Sequence, residues 1–495
     1  MDKILIATRG ELVPRLIKYF DELDIRYVTV YSKEEPDMPQ IKLVKPPNKT
    51  VCIGPYTNYS NVQVLLNIAK EEEVDGIYRG FGFLSEIPAA TEVFEKNGIE
   101  TFSTSAKSME LWKDRLTAKK IAEKFGFENV PGTDKVVKSA DDVKGLMEEH
   151  GPIILKGSGG GGKVTEVVYE FNENEINKTL EKLRSREESF FGSEKYNICA
   201  EKFLTGQVSH LEIQIVGDKH GNFYRIGRER DCSLQRNYQK VIEETPSTKI
   251  AAEKCEELGK RAIEAAKATE LTSLNTFEIL HHAGKNYFNE DNTRIQVEHG
   301  ITEETTGIDL LKTQIEIGLG KKLLWSQEEI DKNTRGHAIE CRILARDLTK
   351  QMGNSGTITH YRRPETPNTR FDTTIFEGCA IPMCFDTKIA NLIVKEKTRR
   401  EAIERMKQAL ENTVIRGEKT LVKDENNREG KMNFSMPSLI KILETEEFVN
   451  GTYHTRSVEN LVSNPDFVKK VKEKEEDIER IQNLLLSFSY ENMIN

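Results

Sequence analysis

The sequence predicts a mixed α/β and α+β chain of several domains, and three observations carry that expectation. Apolar strands alternate with amphipathic helices over the first hundred residues, a glycine-rich loop joins two short strands near residue 160, and strands dominate after residue 212. In the first unit, 4–8 and 27–31 read as strands, and 11–23 and 62–73 as helices, the pattern of a parallel α/β layer. Pro14 lies in the first turn of the first helix, where its missing amide donor is harmless. A helix at 89–96 and a strand at 99–103 complete an N-terminal domain at 1–104. A helical pattern over 106–125, stopped by Gly126 and Pro131, gives a connector at 105–131.

Residues 132–204 form a smaller unit: strand 151–156, glycine loop 157–162, strand 164–169, helix 173–186 and strand 196–202. Its size and hinge-like flanks predict a lid. Strands at 210–216, 222–230, 276–280 and 287–297 predict a large antiparallel body over 205–450. The polar stretch 419–432 reads as a surface loop. A helical tail occupies 451–495, with Val468, Val471, Ile478, Ile481 and Leu484 at loose helical spacing, to pack on the body or on a partner.

At 495 residues the chain is long enough for about three domains, each with its own core. Hydrophobic residues make up 37% and charged residues 31%, no apolar run is long enough to span a bilayer, and no signal segment stands at Met1. A soluble protein is expected. A net charge of -9 argues against a large nucleic-acid surface, while leaving room for a small anion in a local basic pocket. Seven cysteines without a Cys-x-x-Cys pair imply neither a zinc site nor a disulfide framework, and a reducing cytoplasm is the simplest setting.

The densest concentration of chemistry is Glu-Asp-Asn-Thr-Arg-Ile-Gln-Val-Glu-His at 290–299. Read as a strand, it places Glu290, Asn292, Arg294, Gln296 and Glu298 on one face and only Ile295 and Val297 as apolar residues on the other. A solvated edge strand is the plain alternative. Glu278 and Glu290 lie on consecutive strands, and a turn at 283–285 sets them opposite each other. Facing carboxylates call for a cation between them. Mg²⁺ suits two carboxylates and the Asn292 amide, whereas exposure of both glutamates to water would need no ion. Gly159, Gly160, Gly161 and Gly162, just after Lys156, allow backbone amides to converge on phosphate or form only a flexible loop. The block 228–240 carries four cations and two acids and reads as an anion-binding or a solvated loop. In 335–342, alternation puts Glu340 and Arg342 opposite Ile339 and Cys341, so Arg342 meets either a buried carboxylate or a substrate.

In order, the chain contains Thr-Arg-Gly-Glu at 8–11, Gly-Phe-Gly-Phe-Leu-Ser-Glu at 80–86 and Lys-Gly-Ser-Gly-Gly-Gly-Gly at 156–162. Glu-Lys-Phe-Leu follows at 201–204, His-Leu-Glu-Ile-Gln at 210–214 and Glu-Arg-Asp-Cys-Ser at 229–233. The series closes with the run 292–299 and Gly-His-Ala-Ile-Glu-Cys-Arg at 336–342. These blocks resemble biotin carboxylase, the ATP-grasp subunit or domain of biotin-dependent carboxylases, over roughly residues 1–450.

The resemblance implies an ATP-grasp fold with a Rossmann-like N-terminal domain. It also implies an activity: ATP and bicarbonate form carboxyphosphate, and the carboxyl group passes to N1 of biotin held on a carrier protein. Arg115, Lys156, Glu201, Leu204 and His210, with Gln235 and Tyr238, would hold ATP, and the glycine loop would close over its phosphates. Glu278, Glu290 and Asn292 would bind Mg²⁺ or Mn²⁺. Lys240, Arg294, Gln296 and Val297 would position bicarbonate, Glu298 would be the base, kept ionised by Arg294 beside it, and Arg342 would stabilise the biotin enolate.

The chain departs from the family pattern at several places. Arg115 replaces Lys, Tyr238 replaces His, four glycines and Lys163-Val-Thr replace five and Arg-Gly-Met, Thr8 replaces Asn, Asp291 replaces Met and Gly300 replaces Pro. These changes bear on nucleotide affinity and lid closure rather than on the carboxylation residues. A catalytically weak paralogue with a structural or regulatory role is the competing reading, and another bicarbonate-using ATP-grasp ligase is a third. A biotin acceptor would show Met-Lys-Met. Met406-Lys407 is followed by Gln408 in a helical pattern at 401–410, so carrier and carboxyltransferase are expected on separate chains. The family further implies a homodimer or a larger carboxylase complex, without nucleic acid or membrane.

Overall fold

The computed structural model describes residues 1–157, 164–191, 197–350, 352–423 and 429–494. In the first unit Lys3–Ile6 pairs in parallel with Arg26–Tyr31 and Gly76–Tyr78, and Lys49–Cys52 flanks the sheet. Helix Leu12–Glu22 buries Leu12, Val13, Leu16, Ile17 and Phe20, the stripe that periodicity demands. The expected strand at 99–103 reduces to a single bridge from Gly76 to Glu100, because Phe102 takes a left-handed φ of 52° and leaves the ladder. The expected helix over 106–125 is two helices, Ala106–Lys113 and Arg115–Lys124. Asp114 between them is extended and accepts the Thr117 N–H at 2.8 Å, ending one helix by capping the next.

The small unit is a three-stranded antiparallel sheet, Ile153–Lys156 between Thr165–Val168 and Cys199–Lys202, covered by helices Asp141–His150 and Glu173–Phe191. Gly159, Gly160, Gly161 and Gly162 lie outside the described residues.

The body is built on a ten-stranded sheet. Its main path runs Thr369–Thr373, Lys388–Glu396, His337–Leu344, Gln239–Thr245, Arg230–Arg236, Val208–Gly217, Ser273–His282, Lys285–Asn292 and Glu128–Asn129. Several expectations are corrected here. The strand expected at 222–230 splits into Phe223–Arg225 and Arg230–Arg236, with Gly227 turning the chain at a φ of 69°. The polar block 228–240 is no loop: Arg230–Arg236 and Gln239–Thr245 form a hairpin whose two turn residues, Asn237 and Tyr238, have φ of 51° and 61°.

The strand expected through Val297 ends at Asn292, and residues 293–298 lead irregularly into helix His299–Thr306. Side chains take up the backbone there: Arg294 donates to the Ile295 carbonyl at 3.1 Å, and the His299 ring lies 2.7 Å from the Gln296 carbonyl oxygen. Of the loop expected at 419–432, residues 419–423 instead continue strand Val414–Lys423 and Glu429–Lys431 pairs back onto it, while 424–428 lie outside the described residues.

Helix Pro465–Ile494 packs on the body through Phe467, Val471 and Ile478, while Leu484 is exposed. Met406 and Lys407 lie on helix Arg399–Glu411 as the helical pattern predicts, but Met406 is buried in the core rather than at the helix surface, and Lys407 pairs with Glu404. Among the described residues no helix is long and apolar enough to cross a membrane.

Behind Glu278 the sheet rests on an aromatic cluster in which Phe277 meets Trp112, Phe127 and Phe288 at centroid distances of 5.0, 5.9 and 6.2 Å. Phe277 is wholly buried, so Phe277→Ala should cost about 3–5 kcal/mol in urea denaturation. A loss below about 1 kcal/mol would show that this cluster does not brace the site strands.

Candidate active site

Backbone register sets a row of charge across four strands. Arg230 stands opposite Glu212, Glu212 opposite Glu278, and Glu278 opposite Glu290. The facing of Glu278 and Glu290 expected from the sequence is therefore present, with Ala283 and Gly284 in left-handed turn conformations at the hairpin tip. Three adjacent carboxylates repel one another unless cations lie among them.

Those cations are Lys240 and Arg230. The Lys240 ammonium bonds Glu212, lies 2.5 Å from Glu298 Oε1 and stands 3.7 Å from Glu278 Oε1. Arg230 is fully buried and uses all five N–H donors. Its partners are Glu212 at 3.0 Å, Gln214 at 2.9 Å, Thr302 at 3.1 Å, Thr276 at 3.2 Å and the Gln296 side-chain oxygen. Gln296 then donates to Glu212 at 3.3 Å and Glu278 at 3.4 Å. Two sets of potential metal donors, His210/Glu212/Glu278 and Glu212/Cys232/Glu298, lie in this cluster. Lys240 touches both sets and Arg230 touches Glu212, so these cations already supply the positive charge a metal would bring.

Glu298, only 2% exposed, lies between Lys240 and Arg342, whose Nη2 is 3.1 Å from Glu298 Oε2. Burial alone would raise its pKa, but Lys240, Arg342 and Arg230 hold it well below the usual carboxylate range. Arg294, expected to be the stabilising cation, is instead bonded to Glu86 at 2.8 Å and Asn292 at 3.2 Å. Arg342 is anchored from behind by Glu243 at 2.6 Å.

The residues expected from the sequence to face a nucleotide form a second cluster joined to the first. Asn292 donates to Glu278 at 2.7 Å, and His210 Nε2 lies 3.0 Å from the other Glu278 oxygen. Gln235 supports His210 from Nδ1 at 3.1 Å. Arg115 bonds Glu290 at 2.5 Å and the Gly157 carbonyl at 2.9 Å, tying the site strand to the start of the glycine loop. Lys156 reaches Glu201 at 2.5 Å and Asn289 at 3.1 Å, and Lys119 pairs with the second Glu201 oxygen. Tyr238 is 60% exposed at the hairpin tip, where its phenol meets Thr165 of the small unit. Leu204 and Val297 are half-buried. Glu278, Glu290 and Asn292 supply two carboxylates and an amide, the hard-oxygen set that Mg²⁺ takes.

Sequence reasoning left Glu212, Arg230, Glu243, Glu86, Asn289 and Lys119 without roles. Glu212 shares strand parity with His210 and Gln214, which was a usable signal. Arg230 gave none, since a fully buried arginine is indistinguishable in sequence from a solvated one.

Three family models match in succession: "Biotin carboxylase, N-terminal domain" over residues 1–109, "Carbamoyl-phosphate synthase L chain, ATP binding domain" over 114–325 and "Biotin carboxylase C-terminal domain" over 340–460. The chain is 36% identical to a pyruvate carboxylase subunit of Methanothermobacter thermautotrophicus, covering 98% of this chain and 95% of that one. It is also 36% identical to the biotin carboxylase of Haemophilus influenzae, covering 88% and 97%. Among solved structures, the biotin carboxylase domain dimer of Hydrogenobacter thermophilus 2-oxoglutarate carboxylase, in complex with MgADP, ADP and bicarbonate, superposes with a TM-score of 0.84. That match has 33% identity and covers 93% of this chain and 97% of that one.

Glu201 provides a test of the charge balance. Burial would raise its pKa, but Lys156, Lys119 and Arg115 bring it from 4.5 to about 2. Its stabilisation is therefore full above pH 4.5 and disappears as pH falls towards 2. Glu201→Gln should be less stable than the parent by about 3 kcal/mol at pH 7, with the difference shrinking below pH 4.5, in urea denaturation across pH. A pH-independent difference would contradict the ionic account. By sequence and by structure, the chain belongs to the biotin carboxylase family.

Proposed function

We propose that the chain carboxylates biotin on a carrier protein, using ATP and bicarbonate through carboxyphosphate, the first half-reaction of a biotin-dependent carboxylase. The observation that carries this reading is the Lys240–Glu298–Arg342 constellation, a buried base kept ionised between two cations beside the facing pair Glu278 and Glu290.

In this reading residues 132–204 are the lid, 1–104 the N-terminal domain, 105–131 the connector, 205–450 the body and 451–495 the tail. Lys156 and Arg115 supply fixed positive charge to the ATP phosphates, with Gly159, Gly160, Gly161 and Gly162 closing over them. Glu201, Leu204, His210, Gln235 and Tyr238 complete the nucleotide site. Glu278, Glu290 and Asn292 hold Mg²⁺ or Mn²⁺, which supplies charge neutralisation at the phosphates.

Arg294, Gln296, Val297 and Lys240 hold bicarbonate, and Glu298 accepts its proton. A bicarbonate oxygen then attacks the γ-phosphorus, giving carboxyphosphate and ADP. Alignment of the two reactants is most of what the protein contributes to such a transfer. Carboxyphosphate releases phosphate as its carboxyl group passes to biotin N1, the N1 proton leaves with that phosphate, and Arg342 stabilises the negative oxygen of the biotin enolate formed on the way. The proposed partners are a biotin carboxyl carrier protein and a carboxyltransferase on other chains, in a cytoplasmic complex containing a homodimer of this chain. Relatives named as carboxylase subunits support that assembly.

Bicarbonate-dependent ATP hydrolysis should be stimulated by free biotin, and the absence of stimulation in a folded, nucleotide-binding preparation would overturn the proposal. Glu298→Gln should abolish the stimulated turnover and leave ATP binding, read by calorimetry, within about twofold. Retained turnover would remove Glu298 from the role of base.

A further inference from the structure

Behind Arg342 lies a carboxyl pair that the reaction scheme does not use. Glu243 and Glu340 are direct cross-strand partners on Gln239–Thr245 and His337–Leu344, and both are fully buried or nearly so, at 1% and 0% exposure. Arg342, two residues beyond Glu340 on the same face, donates to Glu243 Oε1 from Nε at 2.6 Å and lies 2.5 Å from it through Nη2. Among the described residues, both Glu340 oxygens and the second Glu243 oxygen have no hydrogen-bond partner. A buried pair with three unpartnered oxygens and one cation is not stable as two carboxylates.

The surrounding groups sharpen the assignment. Glu298 stands at the start of helix His299–Thr306, which packs across these strands, and it is matched by Lys240 and Arg342. Within that helix His299 and Glu303 are engaged by Arg15, and Arg370 also bonds Glu303. Lys388, on the neighbouring strand, is held by Glu11. Lys240, Arg15, Arg370 and Lys388 are thus committed to other carboxylates, and Arg342 is shared between Glu298 and Glu243. Burial pushes Glu340 well above the usual carboxyl range, with Glu243 adding to the effect and Arg342 opposing it.

We propose that Glu340 is a positioning residue that stays protonated and donates its proton in a hydrogen bond to the free Glu243 oxygen, fixing the Glu243 carboxylate that aims Arg342 at the biotin enolate. The proton stays on Glu340 throughout, and no bond forms or breaks at this pair during turnover. Glu340 acts only through Glu243 and Arg342. The inference rests on the carboxylase reading for its kinetic consequence, while the protonation of Glu340 stands apart from it.

Two measurements on the full chain test the proposal. Difference infrared spectroscopy of wild type against Glu340→Gln at neutral pH should show a carboxylic-acid C=O band that the variant lacks. Identical spectra in that region would overturn the assignment. In kinetics, Glu340→Leu removes the donor and should lower kcat/KM for biotin about tenfold while leaving KM for ATP unchanged. Glu340→Gln keeps an N–H donor and should recover most of that loss, which a purely steric role would not predict. Wild-type kinetics in Glu340→Leu, or a Gln variant as impaired as the Leu variant, would overturn the positioning role. If the wild type showed no biotin-dependent rate, the carboxylase reading would fail, and the infrared result would still decide the proton.

Discussion

The Lys240 ammonium, set among Glu212, Glu278 and Glu298, is the interaction on which the rest of the site depends. Three carboxylates that are 0–5% exposed cannot remain ionised by hydration, so their charge must be met inside the protein. Lys240 meets it at the centre and Arg230 from below, with every guanidinium donor used. Such a network is stable only when complete, because removing one member strands an opposite charge in a medium that solvates it poorly. The same condition keeps Glu298 ionised and fixed at a site with little water around it.

The fold supplies this arrangement through register. Hydrogen-bonded ladders hold Arg230, Glu212, Glu278 and Glu290 in one row at strand spacing, and the aromatic packing of Phe277 and Phe288 on the reverse face resists a slip that would turn that row towards the core. The hairpin over Arg230–Thr245 then delivers Lys240, and the next strand delivers Arg342. Arg115, bonded both to Glu290 and to the Gly157 carbonyl, joins the connector helix, the small unit and the site strand.

Much of this was legible in the sequence. The facing of Glu278 and Glu290 followed from two strands and a short turn, and the α/β opening followed from alternation alone. What escaped had physical causes. The polar parity of 290–298 was read as one long strand, yet the ladder ends at Asn292, where Arg294 and His299 bond local carbonyls. Those residues still converge, but through an irregular path whose side-chain directions no period describes. The block 228–240 looked solvated because charge is usually at the surface, and only the tertiary partners of Arg230 and Lys240 reverse that inference. Glu298 is ionised as expected, although by Lys240, Arg342 and Arg230 rather than by the arginine nearest in sequence.

A double-mutant cycle between Lys240 and Glu298 addresses the central claim most directly. Lys240→Gln, Glu298→Gln and the double variant would be compared by equilibrium urea denaturation at neutral pH. If buried charge compensation organises the site, the two single losses will together exceed the loss in the double variant, with a coupling of about 2 kcal/mol or more. Additivity within about 0.5 kcal/mol would show that each residue is stabilised independently, and the account of a mutually dependent core of charge would be wrong.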